Sequence, residues 1–247
     1  MAKRDFLSAA DLNSDEISSL LDQSAKYKKN PHGRDDLDGK QVALIFEKPS
    51  TRTRVSFEAA VTSLGGHAIV LRGDELQLGR GETIEDTARV LSRYVDAIVI
   101  RTFGHERLEQ LSGAASVPVI NALSDLEHPC QALADLMTIR EKKGHLGGVS
   151  LAYVGDGNNV ANSLLLAGAR MGMDVRVAAP QGYEPDGKVS ADAATIAAQS
   201  GGHTTVTNVV AEAAVGAVVL YTDVWASMGQ EEESAARAKV MERYRLD

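Results

Sequence analysis

One cysteine, Cys130, stands in a chain of 247 residues. That excludes an internal disulfide framework and a cysteine-built zinc site, and it fits a reducing, cytoplasmic setting. A basic surplus is also missing. Lys and Arg number 26 against 34 Asp and Glu, a net charge of −8. This balance speaks against a general nucleic-acid binder or a ligand of anionic membranes, while leaving room for a local basic pocket. No apolar run approaches about 18 residues, so no membrane-spanning helix is expected. Residues Met1 to Asp11 carry charges without a long apolar stretch and do not read as a signal peptide. The histidines His32, His67, His105, His145 and His203 lack the spacing of metal ligands, and there is no HExxH or paired-carboxylate signature, so no metal is expected. Internal repeats and long low-complexity tracts are absent as well.

Apolar residues make up 44% and charged residues 24% of the chain, ordinary values for a globular protein. At this length about 70–75% of the unfolded surface can be buried. Short, β-branched apolar runs recur at Gln41–Phe46, His67–Leu71, Asp96–Ile100, Val117–Asn121, Val149–Val154, Val175–Ala179 and Ala217–Tyr221, with a weaker one at Thr204–Val206. Between them lie helical spacings such as Phe57, Ala60, Val61, Leu64; Ile84, Ala88, Leu91, Val95; and Leu133, Leu136, Met137, Arg140. Nearly continuous apolar strands imply burial on both faces. Repeated strand–helix units then predict an α/β protein with doubly wound parallel sheets. A charged and glycine-rich stretch, 141–148, follows a long helix, with four strands on each side. It predicts two domains, 1–143 and 148–247, joined by a helix and with a ligand cleft between them.

Three clusters carry chemistry. In the first, Glu47-Lys48-Pro49-Ser50-Thr51-Arg52-Thr53-Arg54 follows a strand and opens a helix. Ser50 or Thr51 can cap that helix. Its free N–H groups and positive dipole end suit an anion, and Arg forks match phosphate oxygens. Two positions apart, Arg52 and Arg54 cannot face the same way; Arg52 is expected to face the anion and Arg54 to pair with acidic neighbours. The alternative is an ordinary capped helix with solvated arginines. In the second, His128-Pro129-Cys130-Gln131 places Pro129 at a first helical position, with an imidazole and a carboxamide together at a positive helix end. Such a pair can donate to a carbonyl that gains negative charge, although a lone histidine is more often a cap or a buried structural residue. Arg101 ends its strand, at the sheet edge where open α/β sheets bind ligands. Cys130 reads as a small helix residue.

In the third, Gly155-Asp156-Gly157-Asn158-Asn159 after a strand resembles the start of a dinucleotide fingerprint. However, Val160 stands at the third glycine position, and the next strand ends in Ala178-Ala179-Pro180 without a ribose-binding acid, which speaks against NAD. It is either a tight turn or a place where Asn159 presents its amide to a carboxylate. Asp223, in the loop after Ala217–Tyr221, can bind an amine or simply serve the turn.

Together the clusters resemble the aspartate/ornithine carbamoyltransferase family, over nearly the whole chain. The carrying motifs are Ser50-Thr51-Arg52-Thr53-Arg54, Gly81-Glu82-Thr83-Ile84-Glu85-Asp86-Thr87, His128-Pro129-Cys130-Gln131, Gly155-Asp156-Gly157-Asn158-Asn159 and Asp223-Val224-Trp225-Ala226-Ser227-Met228-Gly229. The resemblance implies transfer of the carbamoyl group from carbamoyl phosphate to the δ-amine of L-ornithine, giving L-citrulline and phosphate in arginine metabolism. Ser227-Met228-Gly229 points to ornithine over aspartate as the acceptor. It further implies that Ser50, Thr51, Arg52 and Thr53 hold the phosphate, and that Arg101, His128 and Gln131, with Thr53, hold the carbamoyl oxygen. Asn159, Asp223, Ser227 and Met228 would hold ornithine, with Asp223 near its α-amine. Gln77 would reach into a neighbouring subunit's site in a homotrimer. Fixed cations would stabilise both charge sites, with no cofactor or metal. Family members continue past Asp247 with a strand, a His-Cys-Leu-Pro motif, a late arginine and terminal helices. The expectation is therefore that this chain binds carbamoyl phosphate but makes citrulline more slowly than a longer relative. The reading from a different class is a non-catalytic carbamoyl-phosphate or phosphate binder with an incomplete acceptor site.

Overall fold

A computed structural model describes residues 3–31, 33–73, 81–225 and 234–245, with the backbone alone for 234–236. The chain divides into two compact units, residues 1–11 with 19–125 and residues 12–18 with 126–247.

The first unit is built on a four-stranded sheet in the order β2-β1-β3-β4. Its strands are β1 (Gln41–Phe46), β2 (His67–Arg72), β3 (Ala97–Arg101) and β4 (Val119–Leu123), all parallel. Side chains alternate along the central strands β1 and β3, and both sets are buried. Ala43, Ile45, Ile98 and Ile100 enter one cluster with Ile84, Ala88, Leu108 and Leu111, from α3 (Ile84–Leu91) and α4 (His105–Ala114). Val42, Leu44, Phe46 and Val99 enter the other with Val61 and Phe57, from α2 (Thr51–Ser63). Burial on both faces is why β1 and β3 read as unbroken apolar runs. The spacing that carried helix α3 on to Val95 overshoots. The helix ends at Leu91, where the Ser92 hydroxyl donates to the Ala88 carbonyl at 2.6 Å and a turn follows. Val95 is still buried in the same cluster, so its apolar character marks the core rather than the helix.

The second unit repeats the plan with order β7-β6-β5-β8, again all parallel. Its strands are β5 (Ser150–Val154), β6 (Asp174–Ala178), β7 (His203–Thr207) and β8 (Val219–Tyr221). The weak run at Thr204–Val206 is the core of β7, a full edge strand. Its polar threonines fit an edge position with one side open. Helix α5 (Pro129–Lys143) belongs to this unit, and Gly144, in the left-handed region at φ 85°, ends it by donating to the Arg140 carbonyl at 2.8 Å. Every residue of helix α6 (Asn159–Arg170) from Val160 to Ala169 is buried. It lies so close to the sheet that a Cβ at Gly168 would come within 2.4 Å of the Val175 side chain.

Strand order, more than strand content, places the chemistry. In the first sheet the chain moves from β1 outward to β2, then returns to the other side of β1 for β3 and β4. In the second it moves from β5 to β6 and β7, then returns to the other side of β5 for β8. A crevice opens at the carboxyl ends of two strands whose connections leave in opposite directions. These switch points lie between β1 and β3, where Phe46 is registered with Arg101, and between β5 and β8, where Tyr153 is registered with Tyr221.

Candidate active site

At the first switch point β1 runs into the loop Glu47–Ser50 and then into α2. Ser50 is the N-cap, its hydroxyl accepting from Thr53 N–H at 3.3 Å. The two hydroxyls also meet, Ser50 Oγ to Thr53 Oγ1, at 2.9 Å. Thr51 and Arg52 are exposed at the first turn. Arg54 points away and pairs with Glu58 at 3.4 Å, one helical turn on, as its spacing from Arg52 requires. Arg101 comes in from the end of β3, and its guanidinium donates to Thr53 Oγ1 at 3.4 Å.

The residue is only 8% exposed, and its Nε is buried with no hydrogen-bond partner among the described residues. Burial, and then the nearby Arg52 cation, lower the Arg101 pKa from its ordinary value. A buried guanidinium donor without an acceptor, beside a second cation, is costly unless something anionic arrives. The loop that presents these groups is pinned from below. Glu47 N–H donates to the Arg101 carbonyl at 2.9 Å, and the Glu47 carboxylate takes Arg107 at 2.6 Å and the Thr102 hydroxyl. Lys48, almost fully buried, pairs with Asp125 and lies over the Phe103 ring. In the same unit Thr83 caps α3 by accepting from Asp86 N–H at 3.1 Å, and the Thr87 hydroxyl donates to Glu82 at 2.8 Å. The Gly81–Thr87 motif therefore organises a helix start.

In the second unit His128 is the N-cap residue of α5, but its imidazole makes no capping hydrogen bond. The local structure is held instead by its backbone N–H, which donates to Ser163 Oγ at 2.9 Å, and by Ser163 Oγ donating to buried Glu127 at 3.0 Å. Pro129 occupies the first helical turn and is buried. Gln131 Nε2 donates to Asp135 at 3.0 Å, a contact between residues one turn apart on the helix. Burial pushes the Cys130 thiol up to about 12, which keeps it protonated and fits a packing role.

At the second switch point Asn158 caps the helix and reaches across to the neighbouring strand's loop. Its Oδ1 accepts from Val160 and Ala161 N–H at 2.9 and 3.3 Å, capping α6. Its Nδ2 donates to Asp223 at 3.0 Å. Asn159, half-buried, is the first residue of that helix. The Gly155–Asn159 turn is tight because a Cβ at Gly157 would lie 2.2 Å from the Pro185 nitrogen. Asp156 pairs with Arg237 at 2.9 Å, and that guanidinium lies 5.1 Å from the Tyr183 ring centroid. Burial raises the carboxyls of Asp135 and Asp156 above their ordinary values, and the neighbouring Asp223 raises both further. Gln77, Ser227 and Met228 lie outside the described residues.

Sequence reasoning missed Asp135, Tyr221, Tyr153 and Arg237. The first was legible, since Gln131 and Asp135 stand four apart on a helix. Asn158 carried a signal too, as a cap-type residue directly before a helix. Arg237 is paired across 81 residues of sequence, and no local spacing announces it.

A parallel α/β chain with an arginine-and-hydroxyl crevice on one sheet and a carboxylate-lined crevice on the other is thus defined. Two family profiles match it. One, described as "Aspartate/ornithine carbamoyltransferase, carbamoyl-P binding domain", covers residues 4–141, and the other, "Aspartate/ornithine carbamoyltransferase, Asp/Orn binding domain", covers residues 147–247. The chain belongs to the aspartate/ornithine carbamoyltransferase family.

Within it, the curated relatives it resembles include ornithine carbamoyltransferases from Parafrankia sp., 61% identical over all of this chain and 79% of the relative, and from Acidothermus cellulolyticus, 59% identical over 99% and 78%. The solved ornithine carbamoyltransferase of Pyrococcus furiosus is 54% identical and superimposes with a TM-score of 0.94, covering 99% of this chain and 79% of that one.

Proposed function

We propose that this chain transfers the carbamoyl group of carbamoyl phosphate to the δ-amine of L-ornithine, forming L-citrulline and phosphate in arginine metabolism. The observation that carries the reading is the half-built anion site on the first sheet. There a buried Arg101 with an open donor, the Arg52 cation, the Ser50 and Thr53 hydroxyls and the start of α2 all gather at one switch point. In this reading Ser50, Thr51, Arg52 and Thr53 hold the phosphate, and Arg101, His128 and Gln131 hold the carbamoyl group. The δ-amine attacks the carbamoyl carbon and its nitrogen loses a proton. The carbonyl oxygen gains charge, the bond to the bridging oxygen breaks, and phosphate leaves. Fixed donors aimed at both developing charges lower the barrier without having to reorganise.

Asp223, with Asn159, Ser227 and Met228, holds the amino-acid portion of ornithine. Asp223 is already oriented by Asn158, and it faces the α-ammonium. We assign residues 1–143 to carbamoyl-phosphate binding and 148–247 to ornithine binding. We place the protein in the cytoplasm as a homotrimer in which Gln77 serves a neighbouring subunit's site. The non-catalytic reading is not favoured, because the relatives that share both halves at 54–61% identity are named as the enzyme. No described helix is long and apolar enough to cross a membrane.

The test is a citrulline assay in which ornithine, aspartate and putrescine are titrated against saturating carbamoyl phosphate. Ornithine should saturate first, and Asp223→Asn should raise its KM at least about tenfold while leaving carbamoyl phosphate binding intact. Preference for aspartate or putrescine would sink the acceptor assignment.

A further inference from the structure

A chain of contacts in the second unit joins two residues to which the proposed function gives separate tasks. Gln131 Nε2 donates to one oxygen of Asp135 at 3.0 Å, and the Tyr221 hydroxyl donates to the other at 3.0 Å. The Tyr221 ring stacks on Tyr153, with centroids 5.6 Å apart and planes 20° from parallel. The Tyr153 hydroxyl donates to Asn158 Oδ1 at 3.3 Å, and Asn158 Nδ2 donates to Asp223 at 3.0 Å. Asp135 joins Gln131 to Tyr221 in this chain. Each of its oxygens meets a neutral donor, and among the described residues no cation forms an ion pair with it. A partly buried carboxylate held by neutral groups alone costs stability that an apolar residue of similar size would not, so a purely structural account leaves its presence unexplained.

Its position supplies the explanation. Gln131 and Asp135 are one turn apart on α5, with Gln131 in the helix's first turn. A carboxamide is nearly symmetric in shape but not in charge. Rotated by half a turn, Gln131 would set its carbonyl oxygen against a carboxylate, which is repulsive. We propose that Asp135 is a positioning residue for the carbamoyl step. It fixes the sense of the Gln131 carboxamide, with Nε2 held toward Asp135 and Oε1 turned away, while Tyr221 fixes Asp135 in turn. A carboxamide of fixed sense can tell the amine end of a carbamoyl group from its oxygen end. A carboxamide free to flip cannot. This rests on the reading in which Gln131 contacts the carbamoyl group.

The experiment is a double-mutant cycle on kcat/KM for carbamoyl phosphate, using Asp135→Asn, Gln131→Ala and the pair. Asparagine has the same shape as aspartate but can accept from or donate to Gln131, so it releases the constraint with little change of volume. Asp135→Asn should lower kcat/KM roughly tenfold, chiefly through KM, and should change it less than about twofold once Gln131 is alanine. A residue that merely supports the fold would multiply its loss into both backgrounds. Tyr221→Phe should behave in the same way with a smaller loss, and it carries the cycle if Asp135→Asn does not fold. Full multiplication of the two losses, or an unaltered Asp135→Asn enzyme, overturns this inference alone. An unaltered Gln131→Ala enzyme would instead strike the assignment of Gln131 and this inference with it.

Discussion

The side chains that gather at the carboxyl end of the first sheet are cations, Arg52 and Arg101, with one guanidinium nitrogen buried and unmatched. Those that gather around the second sheet are carboxylates, Asp135, Asp156 and Asp223, each already holding a donor from Gln131 and Tyr221, from Arg237, or from Asn158. Both sheets are parallel and both have a return connection past their first strand, after one strand in the first sheet and after two in the second. The fold therefore supplies the location of a site and the residue types supply its polarity. An open cationic crevice takes an anion. The carboxylate that Asn158 orients, Asp223, is the group proposed to take the amine. One chain carries both, which suits a reaction joining a phosphorylated donor to an amino acceptor.

The largest expected effect tests whether the second unit only binds or also acts. His128→Ala should cut kcat by about 10²–10³, because the carbonyl oxygen's charge grows only in the transition state. Steady-state kinetics checks it, and a rise in carbamoyl phosphate KM with kcat kept would confine His128 to ground-state binding. Next comes the polarity of the first unit. Arg52→Ala should weaken carbamoyl phosphate or inorganic phosphate about ten- to hundredfold by calorimetry, the worth of about 1.5–3 kcal/mol for a charge-assisted contact. Unchanged affinity would remove Arg52 from the site.

A matched glycine pair then asks where each unit is rigid. Gly157→Ala must push against the backbone at Glu184 and Pro185 and should cost about 1–3 kcal/mol in denaturant unfolding. At Gly104 the obstacle is only the Glu106 carboxylate, a flexible side-chain end, so Gly104→Ala should cost less, about 1 kcal/mol or under, from alanine's poorer fit at the N-cap of α4. Equal losses would refute the distinction.

The smallest effect concerns Cys130. Its thiol in the folded state is pushed up to about 12 by burial, whereas an exposed cysteine titrates near ~8.5. Between those values the unfolded chain loses the proton and the folded chain keeps it, so this group lowers stability as pH rises. Cys130→Ser should flatten that part of the stability profile. Alkylation of the native thiol at pH 8 should also be far slower than in urea.

Much of this was fixed along the chain itself. Strands β1 and β5 declared themselves as continuous apolar runs because both faces of a parallel sheet are covered. Ser50, Pro129 and the Arg52–Arg54 spacing announced helix starts and facing directions, because caps and the 3.6-residue turn are local properties. Val95, predicted in helix α3, shows the limit: an apolar residue reports burial, and a turn satisfies burial as well as a helix does.

What only the tertiary structure decided are relations between distant segments. Strand order put Arg101 beside Thr53, 48 residues apart, and Tyr221 beside Asp135, 86 residues apart. It also set Asn158, the N-cap of α6, against Asp223, 65 residues away. The ends of β5 and β8 meet only because those two strands are neighbours in the sheet, and no local spacing records which strands pair.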